Sequence, residues 1–75
     1  MMSSEERLVY MANQIARELA HTQDPAAATA DHIAKFWDPH MRGRILAGDA
    51  RQLGLSDIAA RAFDMLRERG TAKAG

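Results

Sequence analysis

Three histidines are the side chains of this sequence that could most readily bind a metal ion. His32 and His40 stand on either side of an Asp-Pro pair, and His21 follows the first amphipathic stretch, so the three imidazoles could converge on zinc. However, no two histidines have the spacing of one helical turn, cysteine is absent, and the pattern matches none of the established zinc signatures. We therefore predict no metal site, and histidines that lie on the surface or pack partly against neighbours.

The other polar side chains do not suggest catalysis. Without cysteine, the candidate nucleophiles are Ser and Thr hydroxyl groups. Outside residues 71–75, a turn or helix-end position accounts for each of them, namely Ser3, Ser4, Thr22, Thr29 and Ser56. The carboxylates cluster at predicted helix starts, where capping explains most of them, namely Glu5, Glu6, Asp24, Asp38 and Asp57. The glycines form no phosphate-binding loop. We predict no catalytic and no cofactor-binding residue.

The densest chemical information lies in residues 31–42, which contain the only Trp, one of the two Phe and two of the three His. Asp38 precedes a proline and is therefore disfavoured in the helical region, which ends a helix near Trp37. The same Asp38 can cap the next helix, with Pro39 at its first position, where a missing N–H does no harm. The segment predicts two helices joined by a tight corner, which we call the elbow.

Two aromatic residues, Phe36 and Trp37, are adjacent at this elbow. Aromatic side chains at helical spacing usually belong to the core. Adjacent positions on a helix point about 100° apart, however, so both rings cannot face one small core equally well. We predict that Trp37 is buried and that Phe36, Met41 or Arg42 points outward, where it could contact a protein partner.

Hydrophobic periodicity predicts an all-α domain over residues 1–75, with four helices at about residues 4–20, 25–37, 39–52 and 57–70. Capping residues mark their starts, namely Ser3 with Glu6, Asp24, Asp38 and Ser56. The third helix is expected to continue through Gly48 and to stop at Gly54, although Gly48 could itself be the stop. The last helix is expected to stop at Gly70, and residues 1–3 and 71–75 are predicted to be disordered.

Length and charge favour a small protein-binding domain. A chain of 75 residues buries only about 60% of its unfolded surface, and much of its apolar composition is alanine, which contributes little burial energy. Docking on a partner is one way to supply the missing stability. The net charge of zero argues against a chain built to neutralise phosphates or acidic membranes. No signal sequence or long apolar run is present, so we expect a cytoplasmic protein without a membrane partner.

A nucleic-acid-binding helix-turn-helix is the main alternative from another class. A tight corner followed by a helix with Arg42, Arg44 and Arg51 could mimic the motif that reads a major groove. Against this stand the Asp-Pro corner, the neutral chain, and Asp49 and Asp57 in the same half. We therefore predict no nucleic-acid partner.

Two stretches of the chain carry a family resemblance. Residues 8–16 read LVYMANQIA, and residues 30–39 read ADHIAKFWDP and are followed by Met41 and Arg42. They resemble the opening helix and the signature of the small delta subunit of soluble NAD-dependent formate dehydrogenases. The ordered combination of His, Phe-Trp-Asp-Pro and Met-Arg is specific for so short a chain. Where that family commonly has arginine between proline and methionine, this chain has His40.

The resemblance implies a non-catalytic subunit of a large molybdenum or tungsten enzyme. In that family the alpha subunit carries bis-molybdopterin guanine dinucleotide and iron–sulfur clusters, and other subunits carry FMN and the NAD site. The delta subunit is associated with the alpha subunit and with obtaining active, cofactor-loaded enzyme. This chain is therefore expected to hold no cofactor and to bind, stabilise or help mature the alpha subunit. The alternative is a transient maturation chaperone that leaves the finished enzyme.

The residues that we expect to contact this partner surround the elbow. They are His32, Phe36, Trp37, Asp38, Pro39, Met41 and Arg42. Asp38 and Pro39 are expected to set the corner, and the aromatic side chains, Met41 and Arg42 are expected to supply the contact surface.

Overall fold

The computed structural model describes residues 2–48 and 50–74, and for residues 50–51 and 71–74 it describes the backbone alone. The helices are α1 (Ser4–Glu18), α2 (Pro25–Phe36), α3 (Pro39–Leu46), α4 (Ala50–Leu53) and α5 (Asp57–Ala74). No strand occurs within the described ranges. The predicted small all-α fold, with an elbow between the second and third helices, is confirmed, and α4 is a single additional turn.

Side-chain caps begin the helices where the sequence placed them. At α1, Ser3 Oγ accepts from the Glu6 N–H and Glu6 Oε1 accepts from the Ser3 N–H, each over 3.1 Å. Asp24 and Ser56 accept from the backbone at the starts of α2 and α5, over 3.2 and 3.3 Å. Because a cap satisfies N–H groups that have no partner inside the helix, these local contacts fix the helix starts.

The third helix ends earlier than predicted. α3 stops at Leu46 instead of continuing to about Gln52, and the chain bends at Gly48 before α4. A Cβ at Gly48 would lie 3.0 Å from Leu53 Cδ1, so the missing side chain lets the two segments approach closely. Gly54, the predicted stop of the third helix, follows the additional turn α4 instead, with a left-handed φ of 91° that favours glycine.

The last helix runs further than predicted. The sequence placed its end at Gly70, but α5 continues to Ala74. Gly70 does not have the positive φ of a helix-ending glycine, and alanine and lysine in the residues that follow are strong helix formers. The predicted disorder of residues 1–3 and 71–75 stays a prediction, and Met1 and Gly75 lie outside the described residues.

The core forms where α1, α2 and α5 meet, and α2 packs most extensively against α5. Phe63 of α5 and Ile33 of α2 are fully buried at its centre. The other buried apolar residues are Leu8, Val9, Ala12, Ala16, Ala30, Trp37, Ile45, Leu55, Ala59, Ala60, Ala62 and Leu66. Half of this set is alanine, so the few large side chains account for most of the apolar area that folding removes from water.

One buried residue is polar among those whose side chains the structure describes. Thr29 lies inside α2 with none of its surface exposed, and its Oγ1 has no hydrogen-bond partner among the described residues. The expectation that a turn or helix end explains Thr29 is therefore wrong. A hydroxyl buried without a partner opposes folding, because it loses its hydrogen bonds to water and gains none in return.

We expect the Thr29→Val substitution to raise the free energy of unfolding by about 1–3 kcal/mol, because it removes that hydroxyl and keeps a branched side chain. The melting temperature should rise by about 4–8 °C per kcal/mol in a domain of this size. Thr22→Val is the matched control, since Thr22 Oγ1 donates to the Leu19 carbonyl at 2.6 Å and its loss should be destabilising. A lower melting temperature for both variants would contradict the assignment.

Two polar side chains hold the short elements in place through three hydrogen bonds. Asn13 of α1 bridges the connection before α5, since its Nδ2 donates to the Gly54 carbonyl over 3.1 Å and its Oδ1 accepts from the Ser56 N–H over 2.7 Å. Arg67 of α5 donates to the Leu46 carbonyl at the end of α3 over 3.0 Å. The Asn13 bonds thus attach the connection before α5 to α1, and the Arg67 bond attaches the end of α3 to α5.

Candidate functional site

The elbow consists of two extended residues between helices. Trp37 ends α2 with φ −94° and ψ 139°, and Asp38 follows with φ −77° and ψ 164°. Asp38 Oδ1 accepts from the Met41 N–H over 2.8 Å, and Pro39 occupies the first turn of α3. The predicted cap is confirmed, although the corner has two non-helical residues and not one. The Asp38 carboxylate therefore already accepts a hydrogen bond from the backbone of its own chain.

We expect Asp38→Ala to lower the free energy of unfolding by about 0.5–2 kcal/mol, because the N–H of Met41 loses its acceptor. Asp38→Asn is the control, since its side-chain carbonyl can still cap the helix. Thermal unfolding monitored by circular dichroism distinguishes the two. An alanine variant that melts at the wild-type temperature would show that the cap does not hold the elbow.

The two adjacent aromatic residues differ in burial, as predicted. Trp37 is 5% exposed, and its ring centroid lies 5.8 Å from that of Phe63 in the core. Phe36 is 71% exposed, and the centroid of its ring lies 4.6 Å from that of His32 on the same helix, with an angle of 40° between the rings. The elbow therefore presents a large aromatic side chain to solvent, directly beside a buried one.

Phe36 belongs to an open, mainly apolar groove between α1, α2 and the start of α3. We call it the elbow groove, and it has a volume of about 370 Å³. Its lining residues are Tyr10, Met11, Gln14, Ile15, His32, Phe36, Trp37 and Met41. Tyr10 is 58% exposed and Met11 is 37% exposed, and none of the lining residues is Asp, Glu, Lys or Arg. Three large apolar side chains thus lie open to solvent along one groove.

A second groove lies on the other side of the elbow, between α2, α3 and α5. We call it the arginine groove, and it has a volume of about 620 Å³. Its lining residues are Ala34, Pro39, Arg42, Gly43, Leu46, Leu66, Arg69 and Gly70. Arg42 is half-buried, and its Nε is buried without a hydrogen-bond partner among the described residues.

The predicted contact residues divide between the two grooves. His32, Phe36, Trp37 and Met41 line the elbow groove, whereas Pro39 and Arg42 line the arginine groove. Asp38 caps α3 between them. Trp37 exposes too little surface to be a major contact itself, and it forms part of the buried base of the groove. The role of these residues in binding a partner stays a prediction.

Sequence reasoning did not include α1 in the site. Tyr10, Met11 and Gln14 complete the elbow groove from that helix. Tyr10 stands beside the apolar stripe of α1 and not in it, which was the available signal for a second contact. Met11 has the spacing of a core residue but lies at the edge of the core, where more than a third of its surface stays exposed.

Metal and membrane sites are not found in the part of the chain that the structure describes. No group of three or more His, Asp or Glu side chains there could hold a metal ion. No helix in those ranges is long and apolar enough to cross a membrane. The arginines of the helix-turn-helix alternative do not lie on one helix, since Arg42 and Arg44 belong to α3 and Arg51 belongs to α4.

Comparison with models of protein families assigns the chain to one family. The model of the NADH-dependent formate dehydrogenase delta subunit, FdsD, matches residues 7–63. The chain belongs to the FdsD family. The matched region of this FdsD chain includes the whole elbow groove but ends before Leu66, Arg69 and Gly70, which form the α5 side of the arginine groove. Neither the curated proteins nor the solved structures gave a match to the chain.

Proposed function

We propose that this delta subunit is non-catalytic and binds the catalytic alpha subunit of its formate dehydrogenase through the elbow groove. The observation that carries the proposal is the exposed Phe36, which is 71% accessible at the end of a helix whose next residue is buried. Binding at this groove would stabilise the alpha subunit or help it to mature. Family membership supports the assembly with a formate dehydrogenase.

The composition of the elbow groove supports a protein partner. Single exposed apolar side chains are common on protein surfaces and need no explanation. Here Tyr10, Met11 and Phe36 lie together in one concave surface without a charged side chain in its lining. Aromatic residues and methionine are enriched in protein interfaces, and aromatic side chains often contribute most of the binding energy. A protein surface with apolar side chains is the partner that this groove fits best.

The redox chemistry belongs to other subunits in this proposal. The alpha subunit would hold bis-molybdopterin guanine dinucleotide with molybdenum or tungsten, together with iron–sulfur clusters, and other subunits would hold FMN and bind NAD. The delta subunit would contribute binding energy alone. A partner that binds only the native alpha subunit stabilises it by mass action, and this effect requires no catalytic group.

Co-purification tests the proposal. The tagged delta subunit is expressed together with the formate dehydrogenase subunits of the same organism, and the eluate is analysed for protein stoichiometry, metal and pterin. We expect the alpha subunit to elute at a fixed ratio. Molybdenum or tungsten and pterin in that eluate indicate a permanent subunit, whereas elution of cofactor-free alpha subunit alone indicates a transient maturation factor. If no alpha subunit elutes, the proposal fails.

A further inference from the structure

The arginine groove offers a second binding site, on the opposite side of the elbow. We propose that it binds a peptide segment of the alpha subunit that carries a carboxylate side chain, with Arg42 as the partner of that carboxylate. The inference depends on the proposed function for the identity of the partner. Its structural basis is separate, because no residue of the elbow groove lines the arginine groove.

The first observation concerns the guanidinium group of Arg42. Its Nε is buried and lacks a hydrogen-bond acceptor among the described residues. Buried polar groups in native proteins nearly always have a partner, and a charged group without one opposes folding strongly. No Asp or Glu lines the groove, and the nearby carboxylate of Asp31 already accepts from Arg69 at 3.1 Å. The Nε itself is covered by the chain, so a ligand in the groove would bind the terminal nitrogens of Arg42, and a carboxylate matches a guanidinium best.

The second observation is the open space beside two glycines. Gly43 of α3 and Gly70 of α5 both line the groove, and a Cβ at either position would have no atom within 4 Å. Neither has a positive φ. Glycine inside a helix is destabilising relative to alanine, and neither the packing nor the backbone of this chain requires it here. Their effect is to leave the floor of the groove open for the close approach of another backbone.

The remaining lining residues favour a peptide over a small anion. Ala34, Pro39, Leu46 and Leu66 give the groove apolar walls beside the two arginines. A hydrated anion would leave these walls in contact with water, whereas a peptide can place apolar side chains against them and a carboxylate on Arg42. Asp31 pairs with Arg69, so among the described residues the positive charge without an acidic partner in the groove is that of Arg42, and the charge of an acidic segment is complementary to it.

Removal of the guanidinium tests the role of Arg42. We expect Arg42→Gln to weaken binding to the purified alpha subunit at least tenfold, which corresponds to about 1.4 kcal/mol. Arg44→Gln is the matched control, because Arg44 lies on the same helix and is exposed outside the groove. It should change the dissociation constant less than threefold. Equal effects of the two substitutions would overturn the inference.

A side chain placed on the floor tests whether the groove is occupied. Gly43→Leu should weaken binding at least tenfold, while Gly43→Ala should have a smaller effect. Both variants should melt at or above the wild-type temperature, because an added Cβ at Gly43 has no atom within 4 Å and both residues have a higher helix propensity than glycine. This melting measurement separates a blocked groove from a damaged fold.

Three results would contradict the inference in different ways. If the wild type binds the alpha subunit and both Arg42→Gln and Gly43→Leu bind equally well, the arginine groove is not a binding site and the proposed function stands. If the free subunit dimerises in sedimentation analysis and only the dimer is lost in Gly43→Leu, the occupant is a second copy. If the wild type does not bind the alpha subunit, the proposed function itself fails.

Discussion

The Trp37→Ala variant is expected to lose about 3–5 kcal/mol of unfolding free energy, which is typical for removal of a buried aromatic side chain. Trp37 is 5% exposed and its ring packs on the fully buried Phe63. A core of this size rarely supplies more than about 3–5 kcal/mol in total. The variant should therefore be largely unfolded at room temperature. Circular dichroism in the absence of denaturant measures the expected loss of helicity.

Phe36→Ala provides the control within the same pair of residues. Its side chain is mostly exposed, so the substitution should change the unfolding free energy by no more than about 0.5 kcal/mol. The two variants remove adjacent aromatic rings of the same helix end, and they should differ strongly in stability. A Phe36→Ala variant as unstable as Trp37→Ala would show that the two rings are assigned to the wrong sides of the elbow.

The same Phe36→Ala variant should have its main effect on association. We expect binding to the alpha subunit to weaken by about 2 kcal/mol, or about 30-fold, as for an aromatic hot-spot residue. The physical reason is that the exposed ring gains burial only in the complex. Isothermal titration or biolayer interferometry with purified alpha subunit measures the change, and circular dichroism verifies that helicity is retained.

Glu68→Ala is a suitable control for that binding experiment. Glu68 is exposed on α5 and lines neither groove, so its loss should change the affinity less than threefold. Wild-type affinity of a fully helical Phe36→Ala variant would remove Phe36 from the interface. The elbow groove would then lose the residue on which its assignment mainly depends.

The elbow could be predicted because its determinants are local. Asp38 and Pro39 act on the backbone within one helical turn, through the restriction before proline and through the side-chain cap. The opposite directions of Phe36 and Trp37 follow from the rotation of about 100° per helical residue. Such features depend on neighbouring residues alone, and the structure confirms them.

Features that depend on distant parts of the chain were not predictable in the same way. Tyr10 and Met11 join Phe36 only because α1 lies beside α2, and no local pattern specifies that arrangement. The burial of Thr29 depends likewise on the packing of α2 in the core, and its polar side chain gave no indication of it. The early end of α3 is a different case, because the sequence already offered Gly48 as a possible stop. The half-burial of Arg42 requires α5 to form one wall of the groove.

The bridge from Asn13 to Gly54 and Ser56 has a consequence for how the chain acquires its structure. These hydrogen bonds join residues 41 and 43 positions apart, and α2 finds its most extensive packing surface on α5, the last helix. Closing such long loops costs chain entropy before any contact is gained. The first helices therefore have little to fold onto until α5 has been synthesised, and the domain should assemble in one cooperative step once the ribosome has released that helix.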